Sequence, residues 1–360
     1  MSLKLVAIGG LGLMLSPSAR HLKSDSEVRF IRIHDRGKKG TRRDSCRQAW
    51  QTYGAELVSN YKDLIGNGHF DGLVICAGKN GDDAEILRSI IPIINSTCNP
   101  KPFILHLSTV SSRFVDSAYK YLAPQGIPYV NYPLTGGPAG ADSASMLVLA
   151  SGDSQLYTDL EPFIKQIGNP RYLGPKITAG TEVKLIGQMM VFNGLTGICS
   201  AAALKSSCFQ EPLSGNKQAE FFDFLNNGAG GTKQWDVALS KGIRDNIWDQ
   251  GFMLHHAVID TLYTIQLGQE QGLSNLTLLP LLSTALAFSY LLRKNKGKSL
   301  ATHSLVLEMT QENAYGLDSF LQKNLLLANI EKSLDNVIGS LPESLQRSVG
   351  LDIDVQSFVS

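Results

Sequence analysis

Leu3-Lys4-Leu5-Val6-Ala7-Ile8-Gly9-Gly10-Leu11-Gly12-Leu13-Met14-Leu15 is the stretch on which the fold turns. Its first six residues make a largely apolar run with β-formers, broken by Lys4, and read as a strand that stops at glycine. Gly10 and Gly12 stand at the spacing of the first two glycines in a dinucleotide fingerprint. The first allows a tight turn, and the second lets backbone approach a pyrophosphate at a helix N-terminus. Leu15 takes the third place, which should alter how closely the following helix packs on the sheet. A glycine pattern alone is weak, so its surroundings decide.

Residues 28–33 alternate Val-Arg-Phe-Ile-Arg-Ile and give a second strand at the spacing a βαβ unit needs. It ends at His34-Asp35-Arg36. An acid about 20 residues beyond the glycines is placed to hydrogen-bond the ribose of NAD, and Asp35 fits. Arg36, Lys38, Lys39, Arg42 and Arg43 follow. They read either as a solvated basic loop or as a cradle for the 2′-phosphate of NADP.

Three further strands come at α/β spacing. Leu73-Val74-Ile75-Cys76-Ala77 leads into Gly78-Lys79-Asn80-Gly81 and then a helix. Phe103-Ile104-Leu105-His106-Leu107 leads into Ser108-Thr109-Val110-Ser111-Ser112. Tyr129-Val130-Asn131-Tyr132-Pro133 leads into Leu134-Thr135-Gly136-Gly137-Pro138-Ala139-Gly140-Ala141. In an open parallel sheet such strand-end loops gather along one crevice, where ligands bind. Thr109 and Thr135 bring hydroxyls there, and the Gly136 and Gly137 amides suit a carboxylate. A plain connecting loop is the simpler reading of so much glycine. Residues 146–150 and 171–173 read as the last strands of this half.

At Thr178-Ala179-Gly180-Thr181-Glu182-Val183-Lys184-Leu185-Ile186-Gly187-Gln188 the pattern changes from short β-like runs to long helical ones. Val183, Ile186, Met190 and Leu195 begin an apolar helical pattern that continues through Ala201-Ala202-Ala203-Leu204. A helix from Thr181 sets Lys184 and Gln188 one turn apart on one face. A lysine kept from water has a lowered pKa and can exchange protons, although a lysine snorkelling from a buried helix is the blander alternative.

With 360 residues the chain exceeds one ordinary core, so two domains are expected. A hydrophobic content of 43% and charged content of 18% describe a globular protein, and a net charge of +1 gives no reason to invoke nucleic acid or an anionic membrane. Cys46, Cys76, Cys98, Cys199 and Cys208 form no C-x-x-C pair and read as free thiols in a reducing, cytoplasmic setting. Residues 5–15 resemble a short signal peptide but read better as strand and turn. Residues 276–292 are interrupted by Pro280 and fall short of the ~20 residues a bilayer needs, so a core helix is preferred. His255-His256 lacks the spacing of two metal ligands on one helix face, and no metal is expected.

Taken in order, these segments resemble the β-hydroxyacid dehydrogenase family, which includes 3-hydroxyisobutyrate dehydrogenase, tartronate semialdehyde reductase and 6-phosphogluconate dehydrogenase. GLGxMG resembles Gly10-Leu11-Gly12-Leu13-Met14-Leu15, and STISP resembles Ser108-Thr109-Val110-Ser111-Ser112. DAPVSGGxxGA resembles residues 131–141, and GxGxxxKxxNN resembles residues 178–188. The likeness is collinear over roughly residues 3–290, and four weak motifs in order reinforce one another.

The resemblance implies an α/β plus all-α architecture. Residues 1–177 would be an NAD(P)-binding Rossmann domain with a doubly wound sheet. Residues 178–360 would form an all-helical domain, with 178–205 the interdomain helix. It also implies NAD or NADP as cofactor and a homodimer or higher homo-oligomer acting on a small molecule. Gly10, Leu11, Gly12, Leu13, Asp35, Arg36, Ala77, Gly78 and Thr109 would meet the cofactor. Thr135, Gly136, Gly137 and Gln188 would hold substrate, and Lys184 would be the general acid/base.

Leu15, Gly187, Gln188 and Ile259 depart from the family pattern. Ile259 stands where the family has a lysine, while Asp260 beside it is kept. Gly187 stands where 6-phosphogluconate dehydrogenase has histidine, which disfavours decarboxylation of that sugar acid. Two accounts follow: an enzyme with an altered pocket for a 3-hydroxy acid, semialdehyde or related carbonyl or imine compound, and a dinucleotide-binding protein without turnover. Retention of Lys184 and the Thr135-Gly136-Gly137 loop favours the enzyme.

Overall fold

The computed structural model describes residues 3–23, 27–327 and 329–359. The chain divides into two compact units, Met1–Lys184 with Gly350–Ser360, and Leu185–Val349.

The first unit alternates strand and helix. It runs β1 (Leu3–Ile8), α1 (Ser18–His21), β2 (Val28–His34), α2 (Thr41–Tyr53), β3 (Glu56–Val58), α3 (Tyr61–Ile65), β4 (Gly72–Ile75), α4 (Asn80–Thr97), β5 (Phe103–His106), α5 (Ser112–Leu122) and β6 (Tyr129–Asn131). The six strands pair in parallel in the order β3-β2-β1-β4-β5-β6, the order of the doubly wound dinucleotide fold. Leu5 and Ala7 pack on one face with Phe30, Val74 and Leu105. Val6 and Ile8 pack on the other with Leu73, Ile75 and Ile104. Both faces are therefore covered, which is why these strands read as continuous apolar runs.

Two expectations change here. The helix expected directly after the glycines is absent: residues 9–17 form successive turns, and α1 spans only four residues. Gly12 N–H donates to the Gly9 carbonyl (2.8 Å) and Ser16 N–H to the Gly12 carbonyl (3.0 Å). The turns run on past Pro17, which supplies no N–H, into α1, with Ser18 N–H donating to the Leu15 carbonyl (3.1 Å) and Arg20 N–H to the Pro17 carbonyl (3.0 Å). Leu15 is fully buried among the residues of the Leu5 face. Second, the strands around 146–150 and 171–173 do not extend the large sheet. After β7 (Leu134–Thr135) and α6 (Gly137–Asp142), β8 (Met146–Ala150), α7 (Ser154–Ile167) and β9 (Gly168–Tyr172) follow. They make a separate sheet β7-β8-β9, with β8 antiparallel to β7 and parallel to β9.

α8 (Ala179–Phe209) begins two residues before Thr181 and is 31 residues long. The second unit then contains α9 (Asn216–Asn226), a π-helical turn at Trp235–Leu239, α10 (Ser240–Asp245), α11 (Leu254–Glu270), α12 (Asn275–Lys294), a 3-10 segment at Thr302–Glu308, α13 (Ala314–Asn324), α14 (Ile330–Ser340) and α15 (Glu343–Val349). α11 packs on α12, and α12 on α13 and α14. α11 is buried without interruption from Ala257 to Gln266. Thr261 and Thr264 tolerate this because their hydroxyls donate to the carbonyls of Ala257 and Asp260, each at 2.8 Å. By length and composition α8 and α12 could each cross a membrane. In α12 the apolar residues Leu278, Leu281, Leu282, Leu286 and Phe288 are buried in the protein.

The end of the chain, which the sequence grouped with the helical half, packs within the first unit. Asn80 Nδ2 donates to the Gly350 carbonyl (2.9 Å), and Arg88 Nη1 to the Ser357 carbonyl (2.9 Å). Phe358 is buried, edge-on to Phe114 and stacked on Tyr121.

Candidate active site

A cavity of about 410 Å³ opens at the carboxyl ends of β1, β2 and β4, within the range that holds small ligands and cofactors. Ile8, Gly9, Leu11 and Gly12 form one wall, and His34, Arg36 and Arg43 a second. Tyr61, Cys76, Ala77, Asp82, Glu85 and Ile86 close the rest. Glycine is required at its base. Gly9 has φ +84, and a Cβ there would lie 2.0 Å from the Cys76 carbonyl oxygen; a Cβ at Gly12 would lie 2.9 Å from the Gly9 carbonyl. The loop after β1 thus crosses the end of β4 in backbone contact, the close approach a pyrophosphate-binding turn needs. Gly10 turns the other way. A Cβ there would meet Ile33 at 2.6 Å, and its carbonyl accepts from Trp50 Nε1 at 2.8 Å. It is a packing residue beneath the loop.

Of the positions singled out for cofactor, Leu11, Gly12, Arg36 and Ala77 line this cavity; Gly10, Leu13, Asp35, Gly78 and Thr109 are not among its lining residues. Leu13 is largely exposed. Gly78 lies where a Cβ would come 2.4 Å from that of Asp82. The Asp35 carboxylate faces Arg47, whose Nε lies 2.6 Å from Oδ2 and Nη2 3.1 Å from Oδ1; the Gly37 N–H also donates to Oδ1 (2.9 Å). These bonds, led by Arg47, hold the Asp35 carboxyl below its ordinary value. Burial pulls His34 down and pushes the Cys76 thiol up to about 12, so neither carries charge near neutrality.

Next to the cavity, a run of hydrogen bonds stitches the strand ends together. Ser108 Oγ accepts from the Ala77 N–H (3.1 Å), joining the ends of β4 and β5. Asn131, at the end of β6, donates from Nδ2 to the carbonyls of His106 (3.0 Å) and Ser108 (3.2 Å). Its Oδ1 accepts from the Thr181 hydroxyl. Gly180 N–H donates to Ser151 Oγ at 2.9 Å, and a Cβ on Gly180 would stand 2.3 Å from the Leu149 carbonyl. The first turn of α8 is therefore fastened to the carboxyl ends of β6 and β8. Lys184, one turn further on, is buried at 8% exposure. Asn131 and Thr181 are the residues the sequence gave least reason to single out, because polar side chains at strand ends and helix starts are common.

Thr135 is half-buried at the end of β7. Gly136 and Gly137 have φ of +132 and +64, which open the backbone at the start of α6. In the second unit, Gln188 is buried and its Nε2 donates to Asp260 Oδ2 at 2.7 Å. Ile259 is buried beside Asp260. Among the described residues no cluster of His, Cys, Asp or Glu could hold a metal ion.

The strand order and the glycine-based cavity are those of a dinucleotide-binding fold. Residues 5–183 match the family described as the NAD binding domain of 6-phosphogluconate dehydrogenase. An uncharacterised oxidoreductase of Synechocystis is 25% identical over 289 residues, covering 79% of this chain and 93% of its own length. The 2-(hydroxymethyl)glutarate dehydrogenase of Eubacterium barkeri is 22% identical over 53% of this chain and 60% of its own. The 3-hydroxyisobutyrate dehydrogenase of Salmonella typhimurium superposes with a TM-score of 0.68 at 20% identity, over 85% of this chain and 99% of its own. Residues 5–183 carry this NAD-binding domain, and the matched relatives support an NAD(P)-dependent, hydroxyacid dehydrogenase-like enzyme of the β-hydroxyacid dehydrogenase type.

Proposed function

We propose that the protein transfers a hydride between nicotinamide and a small 3-hydroxy acid, semialdehyde or related compound, with Lys184 as general acid/base. The observation that carries this reading is the placement of Lys184: buried, and one turn beyond a helix start fastened at the strand ends where an open α/β sheet binds its ligand. The bound cofactor supplies the hydride donor or acceptor. In the oxidation direction the neutral Lys184 amine takes the hydroxyl proton as the carbonyl forms; in reduction its ammonium returns a proton to that oxygen. Thr135 and the Gly136 and Gly137 amides would hold the substrate carboxylate, and Gln188 would position the substrate. We also propose a cytoplasmic homodimer, supported by an exposed apolar stripe on α8 that carries Ile186, Met190 and Leu204.

Assays with NADH and NADPH over small semialdehydes, keto acids and imines test the reading. Lys184→Met should lower kcat by about 10²–10⁴-fold while cofactor affinity stays near that of the parent. A variant that keeps its activity removes the lysine from the chemistry. A second reading, a dinucleotide-binding protein without turnover, draws on Ile259 in place of the family lysine and on the Gln188 amide bonded to Asp260. Tight cofactor binding with no turnover across the panel would favour it.

A further inference from the structure

The end of β2 is built differently from a site that reads a bare ribose. An acid that selects NAD must keep acceptor sites turned to the 2′-hydroxyl. Here both Asp35 oxygens are engaged, Oδ2 by Arg47 Nε and Oδ1 by Arg47 Nη2 and the Gly37 N–H. Arg47 is itself fixed, with Nη1 donating to Asp44 Oδ1 and Nη2 to the Lys38 carbonyl, each at 2.6 Å. Its side chain is one-fifth exposed and that of Asp35 less, so the fork is shielded and geometrically defined. Asp35 is outside the lining of the cavity, while Arg36 and Arg43 are part of it.

Arg43 is half-buried. Its pKa is pulled down by burial and by the neighbouring Arg42, Arg36 and Arg47, a crowding of like charge that a bound anion would relieve. The acids that line the cavity, Asp82 and Glu85, belong to α4 rather than to the β2 end. Asp82 Oδ2 accepts from the Lys79 N–H there (3.2 Å).

We infer that this site takes the dinucleotide bearing a 2′-phosphate, NADP(H), in preference to NAD(H), with Arg36 and Arg43 as the phosphate-binding arms and Arg47 holding Asp35 away from the ribose. The inference rests on the reading of the cavity as the dinucleotide site. An arginine pair facing a dianionic phosphate gains charge-assisted hydrogen bonds that NAD cannot offer. With Asp35 neutralised by Arg47, the repulsion that normally excludes a 2′-phosphate is removed.

Isothermal titration of the intact protein with NADP⁺, NAD⁺, adenosine 2′,5′-bisphosphate and adenosine 5′-monophosphate tests it without any substrate. NADP⁺ and the bisphosphate should each bind at least about tenfold more tightly than their partners lacking the 2′-phosphate. Arg36→Ala and Arg43→Ala should each weaken NADP⁺ binding about tenfold and leave NAD⁺ within about twofold. Arg47→Ala, which frees Asp35, should raise NAD⁺ affinity relative to NADP⁺. NAD⁺ binding as tightly as NADP⁺, or arginine variants that weaken both equally, would overturn the inference. Failure of all four nucleotides to bind would instead remove the dinucleotide site itself. A protein that prefers NADP⁺ but turns over no substrate leaves this inference standing while the proposed reaction fails.

Discussion

Asp35 and Arg47 show how a residue can stand out by its spacing while its partner does not. The acid stands at the fingerprint spacing, but a guanidinium twelve residues on, carried by α2, takes up its oxygens. Arg47 was not singled out from the sequence, although Arg43 and Arg47 stand four apart on α2 and so share a helix face. The cysteines give a prediction at the same scale. Burial pushes both Cys76 and Cys199 from the ordinary 9.0 up to about 12, whereas Cys208 is exposed. Since the thiolate is the nucleophile, a disulfide reagent at pH 8 should label Cys208 in the native protein and spare the other two until unfolding. Rapid native labelling of Cys76 would contradict this assignment. The sign for stability follows. With the folded values raised, the contribution of these thiols is complete below about pH 9 and declines as pH rises towards 12. Alkaline denaturation should therefore shift upward in a Cys199→Ala variant, relative to its own stability at pH 7.

At the scale of elements, the start of α8 is the joint that sets the lysine. The sequence marked this helix by its apolar period and its Thr-Glu first turn. It did not reveal the anchor, because Asn131 lies 50 residues away and their bond exists only after β6 has formed. Thr181→Val should cost about 1–3 kcal/mol, since it leaves a buried amide oxygen of Asn131 without its donor. A change below about 0.5 kcal/mol in urea denaturation would show the bond to be dispensable. Gly180→Ala is the sharper case. In an exposed helix that exchange stabilises by roughly 1 kcal/mol, but here the added methyl would stand 2.3 Å from the Leu149 carbonyl, so destabilisation is expected. A raised Tm would disprove the close approach. In place of a helix directly after the glycines stand turns and the four-residue α1, with Pro17, which lacks an N–H, at their junction.

For the whole molecule, the division between the units follows contact rather than chain order: eleven C-terminal residues are grouped with the dinucleotide unit. Phe358→Ala should cost about 3 kcal/mol, the usual range for truncating a buried aromatic, read as lost stability in chemical denaturation. An unchanged midpoint would show the tail to be passive. Nothing in residues 350–359 announces this, because a short stretch without periodicity carries no sign of what it will pack against. The sequence by itself determined the alternation of strand and helix, the glycine turn at the sheet edge and the change to long helices near residue 180. All are local, written in period and spacing over a dozen residues. Only the tertiary structure decided that Arg47 engages the Asp35 carboxylate, which strands left the main sheet and where the chain end packed. These partners lie from twelve residues away, for Asp35 and Arg47, to 270, for Asn80 and Gly350, and such pairings exist only once the chain has folded.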